Sequence, residues 1–288
     1  MKKYKRIYIE ITNVCNLACS FCPGTHRSSE MMSVSLFKHI LKEIEGHTEY
    51  LYFHVMGEPL IHPEIGFFLD MCSDYKYKVQ ITTNGSLLAA ASESLMHKPA
   101  LRQVSVSLHS LESSVTRGVI DAYLKDVFNF IQQIAGTHVL VGLRLWNLSV
   151  SDSDRNNAYI LECLEREFHF SGKLADRLAV SSGIKLAKNI YLNVAETFEW
   201  PSLKRDVILG KAFCYGLNNQ LAILADGSVV PCCLDGEGVI RLGNIKEQAL
   251  CEIIASPRAV ALHQGFQKRE AVEELCQKCS YRTKFLLC

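Results

Sequence analysis

The chain has 288 residues, 48% of them hydrophobic, which suits one large domain or one domain with a small appendage. A formal net charge of +1 provides no extended basic field for a phosphate backbone, so nucleic acid is not an expected partner. The opening MKKYKR is followed by Glu10, Thr12 and Asn13 rather than an apolar signal core, and no apolar run reaches membrane-span length; a cytoplasmic protein without membrane contact is expected.

Strand-like and helix-like segments alternate from residue 6 to about 195. Strands are predicted at 6–12, 50–55, 77–83, 104–108, 139–145 and 190–194. Between the first two, Leu36, Phe37, Ile40, Leu41 and Ile44 share one helical face, with Ser33 or Ser35 as N-cap and Gly46 as stop. Leu124, Val127, Phe128, Ile131 and Ile134 repeat that pattern over 123–136. Six β/α units imply a parallel sheet with right-handed crossovers, two short of a closed eight-fold barrel, so an open, partial (β/α)6 barrel is expected.

The strands alternate instead of running continuously apolar. One face, predicted to pack under the helices, carries Ile7, Ile9 and Ile11; Leu51, Phe53 and Val55; Val104, Val106 and Leu108; Val139, Val141 and Leu143; Ile190, Leu192 and Val194. The other collects Tyr8, Glu10, Tyr52, His54, Gln80, Thr82, Ser105, Ser107, Arg144, Tyr191 and Asn193. Buried polar groups need partners, at about 1–3 kcal/mol each. Either they satisfy one another, for example Glu10 with Arg144, or they line a ligand cavity opening at the C-terminal ends of the strands.

The rhythm changes after 195. Residues 196–212, including Trp200-Pro201, read as a connector. QLAILADGSVVPCCL (220–234) reads as a hairpin turning at Asp226-Gly227, followed by a helix in KEQALCEIIASP and then CQKC. The expected division is 1–195 for the barrel, 196–212 for the connector and 213–288 for an appendage in which a metal centre substitutes for a core.

Twelve cysteines without a disulfide-forming compartment point to metal ligation. Cys15, Cys19 and Cys22 form Cys-x3-Cys-x2-Cys just after the first strand. Structural zinc usually takes two close pairs, whereas three thiolates on a cubane iron–sulfur cluster leave one iron without a protein ligand. A zinc knuckle is the plainer alternative for the triplet. Cys163, among the apolar positions of a predicted helix, reads as an inert buried thiol.

With Phe21 between its second and third cysteines, the triplet resembles the Cys-x3-Cys-x-aromatic-Cys signature of radical S-adenosylmethionine (SAM) enzymes. MGEP (Met56, Gly57, Glu58, Pro59) is similar to the family's Gly-Gly-Glu motif, with Met56 in place of the first glycine. The resemblance implies that this edge meets the methionine amino group of SAM. It also implies that Thr82 and Asn84 of TTNG, Ser105 and Ser107 of SVSLHS, and Arg144 contact its ribose and carboxylate. A [4Fe–4S] cluster on Cys15, Cys19 and Cys22 would chelate SAM and reductively cleave it to a 5′-deoxyadenosyl radical that abstracts a substrate hydrogen atom. An external donor such as flavodoxin or ferredoxin would supply the electron.

Cys214, twelve residues, Gly227, four residues, Cys232, then Cys276-x2-Cys279 resembles the auxiliary-cluster domain called SPASM, or its shortened twitch form. Phe285 stands where the full version has a further cysteine. The resemblance therefore implies one auxiliary [4Fe–4S] cluster closed by Cys214, Cys232, Cys276 and Cys279, suited to electron transfer; a zinc ribbon is the alternative. Cys288 reads as a solvated tail residue.

The leading expectation is an oxidoreductase that dehydrogenates or oxidatively cross-links a substrate. The alternatives are a redox-neutral epimerase with Cys233 returning hydrogen, and a metal-stapled binding protein without catalysis. A barrel beginning by residue 6 leaves no preceding peptide-binding domain, which tilts the expected substrate toward a small molecule or short peptide.

Overall fold

The computed structural model describes residues 2–111, 115–147, 154–211 and 213–285. Strands β1 (Arg6–Ile9), β2 (Tyr50–Phe53), β3 (Lys78–Thr83), β4 (Leu101–Ser107), β5 (Leu140–Leu145), β6 (Gly183–Ala187) and β7 (Ile190–Val194) alternate with helices α1 (Val34–Glu43), α2 (Ile65–Asp74), α3 (Leu88–Leu95), α4 (Arg117–Ile134), α5 (Asp154–Glu167) and α6 (Leu174–Leu178). The C-terminal part adds β8 (Gln220–Ile223), β9 (Ser228–Val230), β10 (Gly243–Asn244), α7 (Leu250–Ile254), α8 (Pro257–Gln267) and α9 (Glu274–Gln277).

The ten strands of the described residues share one sheet, in the order β10-β9-β8-β1-β2-β3-β4-β5-β7-β6. From β1 to β5, and on to β7, neighbouring strands are parallel, giving the six-stranded parallel core that the β/α alternation predicted. Helix α1 forms where the apolar periodicity demands it. Ser33 is the cap, its hydroxyl accepting from the Leu36 N–H at 3.2 Å, and Leu36, Phe37, Ile40 and Leu41 are buried. Phe37 stacks on Phe68 of α2 at 4.1 Å and meets Phe53 of β2 edge-on at 5.7 Å, knitting two helices to the sheet.

Three features depart from the sequence reading. Strand β6 runs antiparallel to β7 as a hairpin through Asn189, whose φ of +63° is the local signal of that turn. Strand β8 pairs in parallel with β1, Leu221 opposite Ile7, so the C-terminal hairpin prolongs the barrel sheet. A pairing across more than two hundred residues carries no local pattern. Finally, Val55 lies beyond the end of β2 and packs with Tyr8, Met56, Ala222, Leu224 and Val230 rather than under the helices. The β8–β9 turn is the expected one: Gly227 adopts φ +87°, and Asp226 accepts from the Ser228 N–H at 2.9 Å.

Tyr191 of β7 is 36% exposed, so the inward face of the sheet is open along this side, as in a partial barrel. Among the described residues no helix is long and apolar enough to cross a membrane.

Candidate active site and metal centres

The loop leaving β1 carries Cys15, Cys19 and Cys22, and polar side chains close it at its base. The Thr12 hydroxyl donates to the Glu30 carbonyl at 2.9 Å, Asn13 Nδ2 donates to the Ser28 carbonyl at 2.8 Å, and the Glu30 N–H returns to Asn13 Oδ1 at 2.7 Å. The Cys22 N–H donates to the Cys19 carbonyl at 3.0 Å, and the Gly24 N–H faces the Cys22 sulfur. Cys15 and Cys22 are exposed at the rim and Cys19 is half-buried.

The MGEP segment locks onto this loop. Gly57 has φ +74°, and a methyl at its Cα would stand 2.5 Å from the Thr12 carbonyl oxygen and 2.8 Å from the Asn13 carbonyl carbon, so only glycine permits the approach. The Glu58 N–H donates to the Val14 carbonyl at 2.8 Å. The Glu58 carboxylate is buried and accepts from the Thr83 hydroxyl at 2.7 Å, the Asn84 N–H at 2.6 Å and the Leu60 N–H at 3.1 Å. Burial nevertheless keeps its pKa above the ordinary carboxylate value. Glu58 thus acts as a girder between the β2 and β3 loops, with its oxygens committed internally, and Pro59 starts the buried turn beneath it.

Asn84 bridges onward. Its Nδ2 donates to Asn16 Oδ1 at 2.9 Å and lies 3.9 Å from the Cys15 sulfur, while its carbonyl accepts from Tyr123 and Ser110. Across the rim, the Phe21 ring lies 4.9 Å from His109, His109 stacks over Trp146 at 6.5 Å, and the Arg144 guanidinium rests on Trp146 at 3.5 Å. His109 Nδ1 meets the Arg144 carbonyl at 3.1 Å, and burial pushes the imidazole down to about 4, so it is neutral at pH 7. Neither His109, within SVSLHS, nor Trp146 belongs to a residue pattern that marks it for this site; the one local signal is an aromatic two residues beyond Arg144. Thr82 Oγ1 lies 3.5 Å from Arg144, and Ser105 Oγ accepts from Gln103. The Ser107 carbonyl is taken by Ser110.

Glu10 pairs with Arg27, not Arg144. Both carboxylate oxygens accept from Arg27 Nη2 at 2.7 Å, and the N–H groups of Met56 and Ala225 complete the shell at 3.1 Å each. Arg27 Nε also donates to the Gly236 carbonyl at 2.8 Å, and the His26 N–H meets the Glu237 carboxylate at 3.1 Å. The cysteine loop is therefore latched to the C-terminal segment.

In that segment Cys214, Cys232, Cys276 and Cys279 adjoin closely enough for their charges to interact. Burial pushes the Cys214 thiol up to about 11 and raises the other three as well. Opposing this, backbone N–H groups face the sulfurs: Gly216 and Tyr215 at Cys214, Leu234 at Cys232, Tyr281 and Arg282 at Cys279. Half-buried thiols, three of them facing N–H donors, suit thiolate ligands, because each such donor stabilises a sulfur that carries charge. Among the described residues no three His, Cys, Asp or Glu side chains converge on a single point. A cubane takes one thiolate per iron, so adjoining sulfurs fit it. Phe285, at the position of the missing cysteine, packs edge-on against Tyr215 at 4.9 Å and Tyr281 at 5.4 Å. Cys233 points into the barrel, hydrogen-bonded to Tyr8, its thiol pushed up to about 11 by burial. Cys288 lies outside the described residues.

The sequence matches the Radical SAM superfamily over residues 9–146 and the SPASM iron-sulfur cluster-binding domain over residues 214–280. It is 26% identical to the tungsten-containing aldehyde ferredoxin oxidoreductase cofactor-modifying protein of Pyrococcus furiosus, covering 96% of this chain and 88% of that one. It is 19% identical to the S-adenosyl-L-methionine-dependent 2-deoxy-scyllo-inosamine dehydrogenase of Niallia circulans, covering 97% and 94%. The fold superposes on BtrN in complex with AdoMet and 2-DOIA with a TM-score of 0.60 at 18% identity, over 97% of this chain and 94% of that one. Streptococcus suis SuiB bound to S-adenosylmethionine superposes with 0.63 at 17% identity, over 99% and 74%.

Proposed function

Because this chain belongs to the radical SAM superfamily and carries a SPASM iron–sulfur domain, we propose that it oxidises its substrate, by dehydrogenation or cross-linking, with the auxiliary cluster as electron sink. Bound SAM, a [4Fe–4S] cluster and an auxiliary [4Fe–4S] cluster supply hydrogen-atom abstraction and one-electron transfer. Cys15, Cys19 and Cys22 would hold three irons of the first cluster and would leave the fourth for SAM. Gly57 and Glu58 brace that loop from below, Asn84 from the side, and Phe21, His109, Trp146 and Arg144 wall the rim above it. The latch through Arg27 ties the cysteine loop to the C-terminal segment at Gly236, which limits their relative movement.

One observation carries the oxidative reading. Four neighbouring thiols, Cys214, Cys232, Cys276 and Cys279, would make a complete ligand set, leaving no iron for substrate and suiting electron transfer. Similarity to a protein named a dehydrogenase supports it. A small molecule or short peptide is the proposed substrate, a flavodoxin or ferredoxin the proposed electron donor, and the reducing cytoplasm the compartment that suits so many thiols. We take 1–195 as the barrel, 196–212 as connector and 213–288 as the cluster-bearing segment.

The test is a pair of variants, each reconstituted anaerobically and assayed with dithionite. Cys19→Ala should abolish 5′-deoxyadenosine formation, whereas Cys214→Ala should retain uncoupled formation. If Cys19→Ala still forms 5′-deoxyadenosine, the assignment of roles is wrong. A redox-neutral epimerase is the second reading, favoured by the inward position of Cys233 against Tyr8. Solvent deuterium in the product, lost in Cys233→Ala, would establish it.

A further inference from the structure

Two polar atoms inside the barrel are left unmet by everything described above. His54 Nδ1 and Arg144 Nε are both buried, and neither has a hydrogen-bond partner among the described residues. Burial first, and then the charges of Arg144 and Arg6, hold the His54 imidazole neutral, pushed down to about 3, while Arg144 Nη1 reaches Thr82 Oγ1 at 3.5 Å on the inward face. Tyr8 stands edge-on to His54 at 5.1 Å and Tyr52 at 6.2 Å, so aromatic walls surround the imidazole. Glu10, the carboxylate on this inward face among the described residues, is fully engaged by Arg27, Met56 and Ala225. Among the described residues Arg144 therefore has no carboxylate counter-ion, and it leans on an indole. On β5, Gly142 keeps the wall recessed: a methyl there would come no nearer than 3.5 Å to Ser105 Oγ, so space is left where a side chain would fit. A buried cation without an anion and a buried nitrogen without a partner are both costly unless a ligand completes them.

We propose that His54 and Arg144 together bind a carboxylate carried by the substrate. The proposal rests on the reading that the barrel interior is the substrate chamber, and it adds a substrate class: an organic acid, or a peptide presenting an acidic side chain or terminus. The planar guanidinium takes one oxygen or both, and the imidazole, small and neutral, takes the neighbouring one or the atom next to it. A carboxylate could also come from the methionine part of SAM, so the experiment separates the two sources.

Reconstituted enzyme is titrated in an anaerobic calorimeter, first with S-adenosylhomocysteine, which carries the carboxylate of the cofactor, and then with malonate as the carboxylate probe. The expected result is malonate binding to the S-adenosylhomocysteine-saturated protein, weakened about tenfold or more by His54→Asn and by Arg144→Met. His54→Asn should leave S-adenosylhomocysteine affinity within about twofold, and Arg144→Lys should recover part of the malonate affinity lost in Arg144→Met. His54→Asn keeps the side chain small and polar, and iron content and far-UV circular dichroism confirm that each variant is intact. Absence of malonate binding to the saturated wild type overturns the proposal, as does a malonate affinity that neither variant changes. Loss of S-adenosylhomocysteine affinity alone in Arg144→Met would assign Arg144 to the cofactor and also overturn it. The heats contain no redox step, so a redox-neutral outcome would undo the oxidative reading without altering this result.

Discussion

Replacing Arg27 by methionine isolates the latch between the cysteine loop and the C-terminal segment. In the native protein Arg27 gives both Glu10 oxygens a charged donor at 2.7 Å, and Glu10 has 0% side-chain exposure. Without it the carboxylate keeps two backbone donors, Met56 and Ala225, but no counter-charge. Breaking a buried pair from one side costs about 3–5 kcal/mol, a large share of the 5–15 kcal/mol that holds a typical protein together. The pH dependence has a definite sign. Burial already outweighs Arg27 and raises the Glu10 pKa, so the folded state holds this proton more tightly than the unfolded chain does. Stability from this group therefore falls as pH rises through the ordinary carboxylate value of about 4.3 toward the folded value. Losing Arg27 raises the folded value further and widens that window. Urea unfolding of reconstituted Arg27→Met, followed by circular dichroism, should show a midpoint loss that is greater at about pH 8 than at about pH 5. Adding Glu10→Gln removes the buried charge and should restore part of the loss at the higher pH. A penalty below about 1 kcal/mol, or one that shrinks as pH rises, would refute the reasoning.

Gly57→Ala forces a methyl against two backbone groups at a positive φ, so a cost of about 2 kcal/mol or more is expected. Iron at Cys15, Cys19 and Cys22 should fall while the auxiliary cluster is retained, read by iron content and electron paramagnetic resonance; full iron at both sites would contradict the packing. His109 is neutral in the fold with its pKa near 4, against an ordinary 6.5. Between those values the unfolded chain binds the extra proton, so its stabilisation is complete above about pH 6.5 and fades as pH falls, by at most about 3 kcal/mol. His109→Gln should flatten that part of the acid-unfolding curve, and an unchanged slope would remove His109 from the account.

Much of the site was legible because its signals are local. Thiol spacing, an aromatic within the triplet, a glycine next to a carboxylate, and alternating strands all sit within a few residues of one another, and each corresponds to a single turn or strand face. The period-2 pattern placed Tyr8, Tyr52 and Gln80 on one face correctly, because the pleat sends alternate side chains to opposite sides and these three stand in register. It failed at Val55, which lies just past the last paired residue of β2, where the pleat no longer constrains direction.

What the sequence alone determined was the set of possible ligands and the parallel β/α order, since both depend on covalent spacing and side-chain periodicity. The partnership of Glu10 with Arg27, the inward turn of the Glu58 carboxylate, the joining of β8 to β1, and the unmet pair His54 and Arg144 were decided only in three dimensions. The reason is physical: which charge neutralises which, and which polar atom is left for a ligand, depends on distances between segments far apart in the chain, and chain spacing does not encode them.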